Sequence, residues 1–288
     1  MSTLSNPGIA GRDLLVGRTL ACTGASRGIG RAIVLAAAAQ GATGICMHYL
    51  GDEETEREAS ALQQEIEGRW GDGGSEGRTG EAGTKVVLVK GDIGLEETGQ
   101  AIIDTAIQRF GRLDVFVSNA GICQFSKFLD LTPELWHKTQ QVNLNGAFYA
   151  LSAAARAMSA QAPHPQSGTR GCIVAVSSIS ALVGGAEQCH YTPTKAALKS
   201  LIESMACSLG PLGIRCNCVL PGTIRTAINE EDLSNDGKRE YMEKRTPLGR
   251  LGNPGDIAGA TIFLASDLSR YMQGSSVLVD GGMFVNLQ

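Results

Sequence analysis

Tyr191 and Lys195 stand four residues apart in Tyr191-Thr192-Pro193-Thr194-Lys195. A helix through them carries both side chains on one face. Pro193 suits the first turn of such a helix, where its missing N–H leaves nothing unpaired. A phenol with a pKa near ~10 is a poor base at neutral pH. A lysine cation beside it, joined by a second positive charge, favours the phenolate and lowers that value. Ser178 ends a strand-like run thirteen residues before Tyr191 and can donate to the same substrate oxygen. Asn143, in Val142-Asn143-Leu144-Asn145-Gly146, falls inside a helical stretch, where Asn is mildly unfavourable. That placement fits a residue holding a water near Lys195. The chemistry of such a group is proton transfer at an alcohol or carbonyl oxygen.

A second cluster reads as an anion cradle. Thr23-Gly24-Ala25-Ser26-Arg27-Gly28-Ile29-Gly30 follows an apolar run and opens a helix. Glycine permits positive φ and close backbone approach to a pyrophosphate, and a helix N-terminus supplies open N–H groups and a positive dipole end. The spacing is G-x-x-x-G-x-G rather than G-x-G-x-x-G, and a plain strand–helix turn would use the same glycines. Asn119, Ala120 and Gly121 end a later strand, with small residues across which a ligand can lie. Asp92 and Ile93 close another strand, where a carboxylate can accept a bond from an adenine amino group.

These residues must be positioned by something, and the pattern around them is repetitive. Short β-rich runs are predicted over 19–23, 44–50, 85–90, 115–118, 172–177, 215–220 and 276–280. Helices are predicted over 31–40, 52–67, 96–110, 133–158 and 193–209. The alternation implies a single α/β, Rossmann-type, doubly wound parallel sheet with helices on both faces. It runs nearly end to end, which predicts one domain over 14–288 after a flexible tail at 1–13. The stretch 68–84 holds seven glycines in seventeen residues, too little apolar surface to offset ordering, and reads as a flexible loop insertion. The segment 159–171 reads as a shorter surface loop.

Composition narrows the class. The chain has 288 residues, 43% hydrophobic and 19% charged, the balance of a globular protein. A net charge of −4 argues against a nucleic-acid coat. No apolar run reaches the ~20 residues a membrane helix needs, and no secretion-signal core opens the chain. The eight cysteines form no C-x-x-C pair and there are four histidines, so neither metal nor zinc site is expected. Reduced cytoplasmic thiols, buried as small hydrophobes at Cys22, Cys46 and Cys172, are expected instead.

Taken together, the glycine turn, Asp92, Ser118-Asn119-Ala120-Gly121, Asn143, Ser178, the Tyr191/Lys195 pair and Pro221-Gly222-Thr223 resemble the short-chain dehydrogenase/reductase family, in order and spacing, over roughly residues 14–288. The resemblance implies a hydride-transfer enzyme with Asn143, Ser178, Tyr191 and Lys195 catalytic, a nicotinamide cation as the second positive charge, and a homotetramer, for which the small residues at 146–160 would suit close helix packing. It implies a dinucleotide bound by Gly24, Ser26, Arg27, Gly28, Ile29, Gly30, His48, Asp92, Ile93, Asn119, Ala120, Gly121, Tyr191, Lys195, Pro221, Gly222, Ile224 and Thr226. Three stretches, at 178–185, 221–233 and 285–288, resemble members that oxidise the anomeric hydroxyl of L-rhamnose to a lactone. A ketoreductase acting on an acyl or secondary-metabolite carbonyl is the alternative. For a sugar, Ser178, Ser180, Gln188, Tyr191, Thr223 and Asn229 offer hydrogen-bonding side chains, though Gln188 and Asn229 also read as ordinary loop residues. The residue at the end of the second strand is His48, not the carboxylate that marks NAD preference, and Arg27 could pair with a 2′-phosphate or face solvent. NADP is favoured slightly, with NAD accepted.

Overall fold

The computed structural model describes residues 14–76 and 82–286, with the side chains of residues 231 and 232 left aside. The strands are β1 (Thr19–Cys22), β2 (Gly44–Tyr49), β3 (Lys85–Lys90), β4 (Val115–Ser118), β5 (Gly171–Val176), β6 (Ile214–Pro221) and β7 (Ser276–Val279). They form one sheet in the order β3-β2-β1-β4-β5-β6-β7, and every pairing is parallel. Strands covered on both faces read as continuous apolar runs, and β5 and β6 are buried at every residue.

Alternate side chains serve two cores. Ala21, Phe116 and Ile173 face α3 (Glu96–Phe110), α5 (Ala147–Ala160) and α6 (Thr192–Leu209). Leu20, Val115 and Val117 face α1 (Gly28–Ala39), α2 (Glu53–Trp70) and α9 (Pro254–Ala265). The doubly wound arrangement is therefore present as predicted. The chain winds outward from β1 to β3 and then returns to β4, so a crevice opens at the carboxyl ends of β1 and β4, where such sheets bind ligands.

Several boundaries differ from the sequence reading. The first helix begins at Gly28, three residues before 31, because the glycine turn supplies its first turn. The second runs on to Trp70, and the described residues on either side of 77–81 are bonded back to its last turn. Ser75 and Glu76 donate backbone bonds to Gly68 and Arg69, Thr84 to Trp70, and the Arg69 guanidinium lies 4.1 Å from the Trp70 ring centre. Helix capping and ion pairing at Arg69 hold the ends of a stretch that its glycines alone would leave loose. Residues 77–81 of that loop, 1–13 and 287–288 lie outside the described residues.

The helix expected over 133–158 is α4 (Pro133–Gln140) and α5 joined through a π-helical segment, Gln141–Gly146. One row of small residues on α5 packs within the chain: Ala147, Ala150 and Ala154 are buried, and a Cβ on Gly99 of α3 would lie 2.8 Å from the Ala150 nitrogen, while Ser152, Ala155 and Ala157 remain partly exposed. The short helices α7 (Glu230–Leu233) and α8 (Asp236–Arg245) and the long α9 were not expected. A sequence signal for α9 existed in Asn253-Pro254-Gly255-Asp256, which forms a reciprocal capping box. Cys22, Cys46 and Cys172 are buried free thiols, as are Cys216 and Cys218. Among the described residues no helix is long and apolar enough to cross a membrane.

Candidate active site

The glycine turn is built from both sides of the crevice. Gly24 and Gly28 adopt φ of +63° and +58°, a region that side chains with a Cβ rarely enter. Asn119 braces them: its Nδ2 donates to the carbonyls of Thr23 (2.9 Å) and Gly24 (3.0 Å). In return the Thr23 hydroxyl accepts from the N–H groups of Asn119 and Ala120, each at 2.9 Å. A Cβ on Gly30 would strike the Gly24 carbonyl and lie 2.7 Å from Asn119 Nδ2. Asn119 and Ala120, expected as ligand contacts, are thus first the clamp joining the ends of β1 and β4. Arg27 precedes α1 without a side-chain cap, so the first-turn amides stay open to an anion. Across the crevice the Thr226 methyl lies 3.5 Å from where a Gly28 Cβ would sit. A cradle this narrow fits the pyrophosphate of a dinucleotide.

The far rim corrects the reading of His48. Its ring is 3% exposed, with Nδ1 3.1 Å from the Gly24 nitrogen and Nε2 2.9 Å from the Gly91 carbonyl. Both nitrogens are engaged inside the protein, so the ring does not present itself to a ribose phosphate. Arg27 is exposed but holds Glu54 at 3.1 Å, and the Ser26 hydroxyl donates to Glu58 at 3.2 Å. Asp92 is exposed at the end of β3, one carboxylate oxygen accepting from the Gly94 N–H at 2.8 Å. The side chains of Ile93 and Ile224 are buried in the core, so only their backbones can meet a ligand. Pro221 ends β6, and the Gly222 N–H bonds the Val279 carbonyl at 3.0 Å. Ile29 packs between two core clusters.

The reacting group sits where β5 meets α6. Tyr191 precedes the first residue of α6, and Lys195 lies one turn further on. Lys195 is 4% exposed, and its Nζ donates to the carbonyl of Val176, the last residue of β5, at 3.0 Å. Ser177 bonds the Lys195 carbonyl at 2.8 Å. The next residue, Ser178, shares a hydrogen bond with the Tyr191 phenol. Gly121 brings β4 close: a Cβ there would lie 3.5 Å from Lys195 Nζ and 3.2 Å from Asn143 Oδ1.

Asn143 lies in the π segment and is buried. Its Oδ1 accepts from the Ile122 N–H at 2.8 Å, while Nδ2 donates to the Ile122 carbonyl at 2.9 Å and to the Thr194 hydroxyl at 3.3 Å. The side chain ties the β4 exit to α6 beside Lys195.

Electrostatics modify the expectation for the base. Burial draws Lys195 down to about 8. Burial pushes the Tyr191 phenol up, the Cys123 thiol adds to that, and the Ser178 hydrogen bond opposes it. Lys195 is not among the groups that lower the phenol, and an added positive charge beside it would favour the phenolate.

The wall beside Tyr191 is polar. Ser180 donates to Gln188 Oε1 at 3.4 Å, and Gln188 Nε2 lies 3.5 Å from the Cys123 sulfur. Cys123 was not singled out from sequence, although it follows Gly121 by two residues. Thr223 is half-buried, its carbonyl accepting from Gly252 at 3.0 Å. Asn229 is corrected: its Oδ1 accepts from the Thr226 N–H (3.2 Å) and hydroxyl (3.3 Å), a helix cap rather than an arm into the site. Lys238 of α8 closes over this wall, 3.4 Å from Glu187 and 5.1 Å from the Phe125 ring centre.

The fold and this arrangement define a dinucleotide-dependent oxidoreductase. Residues 24–284 match a family model described as enoyl-(acyl carrier protein) reductase, and the chain belongs to the short-chain dehydrogenase/reductase family. Within it, the chain is 52% identical over 275 residues to an L-rhamnose-1-dehydrogenase of Scheffersomyces stipitis, covering 96% of this chain and 99% of that one. It is 51% identical over 275 residues to an L-rhamnose 1-dehydrogenase (NAD(P)(+)) of Azotobacter vinelandii, covering 96% and 100%. A solved gluconate 5-dehydrogenase of Burkholderia cenocepacia, in complex with NADP and tartrate, superposes with a TM-score of 0.81 at 29% identity, covering 94% of this chain and 97% of that one.

Proposed function

We propose that this oxidoreductase oxidises the anomeric hydroxyl of L-rhamnose to the lactone, with NAD or NADP as hydride acceptor. The observation that carries the reading is the hydrogen-bonding wall of Ser180 and Gln188 beside Tyr191, in a chain about half identical to L-rhamnose dehydrogenases. A site for a steroid or acyl chain would need more apolar area there.

When bound, the dinucleotide supplies the hydride acceptor and a nicotinamide cation near Tyr191. Ser178 holds the substrate oxygen, and Tyr191 takes the hydroxyl proton as general base. Lys195 passes that proton towards water. Asn143 fixes Ile122 and Thr194, and so the floor beneath Lys195. Gly24, Gly28, Gly30 and the open amides of α1 take the pyrophosphate. Asp92 takes the adenine, Pro221 to Thr226 cover the nicotinamide half, and Thr223 and Gln188 meet the sugar. Acceptance of both dinucleotides agrees with Arg27 at the rim and with the carboxylates of Glu54 and Glu58 around it. A cytoplasmic homotetramer completes the reading on family grounds, and light scattering of the purified protein tests the assembly.

Initial rates on a panel of aldoses, with NAD and NADP in turn, test the substrate. L-rhamnose should give its lactone. Gln188→Ala should lower kcat/KM for L-rhamnose by roughly ten- to a hundred-fold, the scale of one buried hydrogen bond, with dinucleotide affinity unchanged. A protein that ignored every aldose and reduced ketones or 3-oxoacyl thioesters would be a ketoreductase instead.

A further inference from the structure

We infer that His48 is a positioning residue for the dinucleotide: its neutral imidazole spans the exits of β1 and β3 and holds the Gly24 turn in the shape that takes the pyrophosphate. This rests on the dinucleotide reading above and not on the choice of sugar.

The two hydrogen bonds of the ring fix its proton. The Gly24 backbone nitrogen, 3.1 Å from Nδ1, can only donate, so Nδ1 must accept. The Gly91 carbonyl, 2.9 Å from Nε2, can only accept, so Nε2 must carry the hydrogen. One tautomer satisfies both partners, and the assignment follows from them. The same residue makes a third contact, since its carbonyl accepts from the Ala25 N–H at 2.8 Å. Two consecutive amides at the start of the turn are therefore anchored on residue 48. Gly24 stands at φ +63°, and its carbonyl is held from the opposite side by Asn119. His48 and Asn119 grip the turn from β2 and β4 respectively.

A second proton on the ring would break this grip. It would sit on Nδ1 and face the Gly24 N–H, donor against donor, inside a site with almost no solvent. Burial draws the His48 pKa below its usual value, while the Gly91 carbonyl and the Asp92 carboxylate pull the other way. Asp92, on the exit of β3, is the charged group facing the ring. The turn from β1 presents the uncharged Thr23, Ala25 and Ser26, and Arg27 beyond it is paired with Glu54 of α2. On β2, Cys46 has its thiol pushed up to about 12 and carries no charge.

The test is fluorescence titration of the sugar-free protein with NADH and with NADPH, from about pH 5 to about pH 8, the range of an imidazole. Wild-type affinity should fall on the acid side of neutrality, apart from the separate alkaline decline expected as Lys195 loses its charge at about pH 8. His48→Gln offers an amide oxygen to Gly24 and an amide nitrogen to Gly91 without titrating, so it should keep most of the affinity and lose the acid limb. His48→Phe fills the space but bonds neither partner, and should weaken binding about tenfold or more at every pH. At saturating dinucleotide its kcat should change far less than its KM. Circular dichroism checks folding, and if the Phe variant does not fold the pH profile of the Gln variant decides alone. A Phe variant binding as tightly as wild type, or a Gln variant with an unchanged acid limb, would overturn the inference. A wild type that bound neither dinucleotide would sink the dinucleotide reading and this inference together.

Discussion

The Lys195 ammonium lies 5.6 Å from the centre of the Tyr191 ring while it donates to the Val176 carbonyl. The end of β5 thus aims the cation, and its influence on the phenol acts through space. Lys195→Met should cut turnover by at least ~100-fold, the scale of acid–base catalysis, and weaken dinucleotide binding as well. With its pKa drawn down to about 8 in the dinucleotide-free protein, the lysine is charged below that pH and neutral above it. Binding that depends on the ammonium should therefore weaken as pH rises through about 8. Titration with NADH across that range should show the limb in wild type and not in the Met variant.

Tyr191→Phe keeps the ring against which Lys195 packs and removes only the oxygen. Turnover should fall at least ~100-fold with NADH affinity unchanged. Near wild-type turnover in the Phe variant would take the base away from Tyr191.

Glu54 and Glu58 occupy Arg27 and Ser26, two groups that a 2′-phosphate would use. The exposed Arg27–Glu54 ion pair is worth about 0.2–1 kcal/mol, and the part-buried Ser26–Glu58 hydrogen bond about 0.5–1.5 kcal/mol. The double variant Glu54→Gln/Glu58→Gln should raise the kcat/KM ratio of NADP to NAD by about tenfold on that scale. Parallel assays with the two dinucleotides read it directly, and a ratio that stays put would remove Arg27 from the phosphate site.

Asp256 caps α9 and takes both Arg250 nitrogens, at 2.7 and 2.9 Å. The Arg250 guanidinium and the Asn253 N–H hold its carboxyl at about 2, below the usual 3.8. A depressed carboxylate stabilises the fold fully above its unfolded pKa, and that contribution is lost as pH falls through the folded value. Asp256→Asn should cost about 1 kcal/mol at neutral pH, the usual worth of a cap. Urea unfolding at neutral pH and near pH 2 should show the difference between variant and wild type shrinking at the acid end.

The parallel sheet and the glycine turn were legible because their signals are local: strand runs, helix stripes, and glycines where the chain reverses. His48 was misplaced because its partners, Gly24 and Gly91, come from two other strand exits. Asn229 was misplaced because a side chain that caps its own neighbour resembles one free to bind a ligand. The helix α9 was missed because Ile257, Ala258, Thr261, Ile262, Leu264 and Ala265 are all buried, leaving little polar face to mark a period. Cys123 entered the site only when the chain placed it beside Gln188 and Tyr191.

The π segment, Gln141–Gly146, sets the thrift of the helix against the needs of the site. A π turn spends one residue more than an α turn for the same advance in register, and it is seldom kept without use. Removing a single residue there would let the chain wind as ordinary α-helix from Pro133 to Ala160, with the inward face of α5 still in phase. It would also swing Asn143 off Ile122 and Thr194, so that the strand exit and the helix of Tyr191 would part company. The segment therefore couples the exit of β4 to the helix of Tyr191, and its register is part of the geometry around the reacting group.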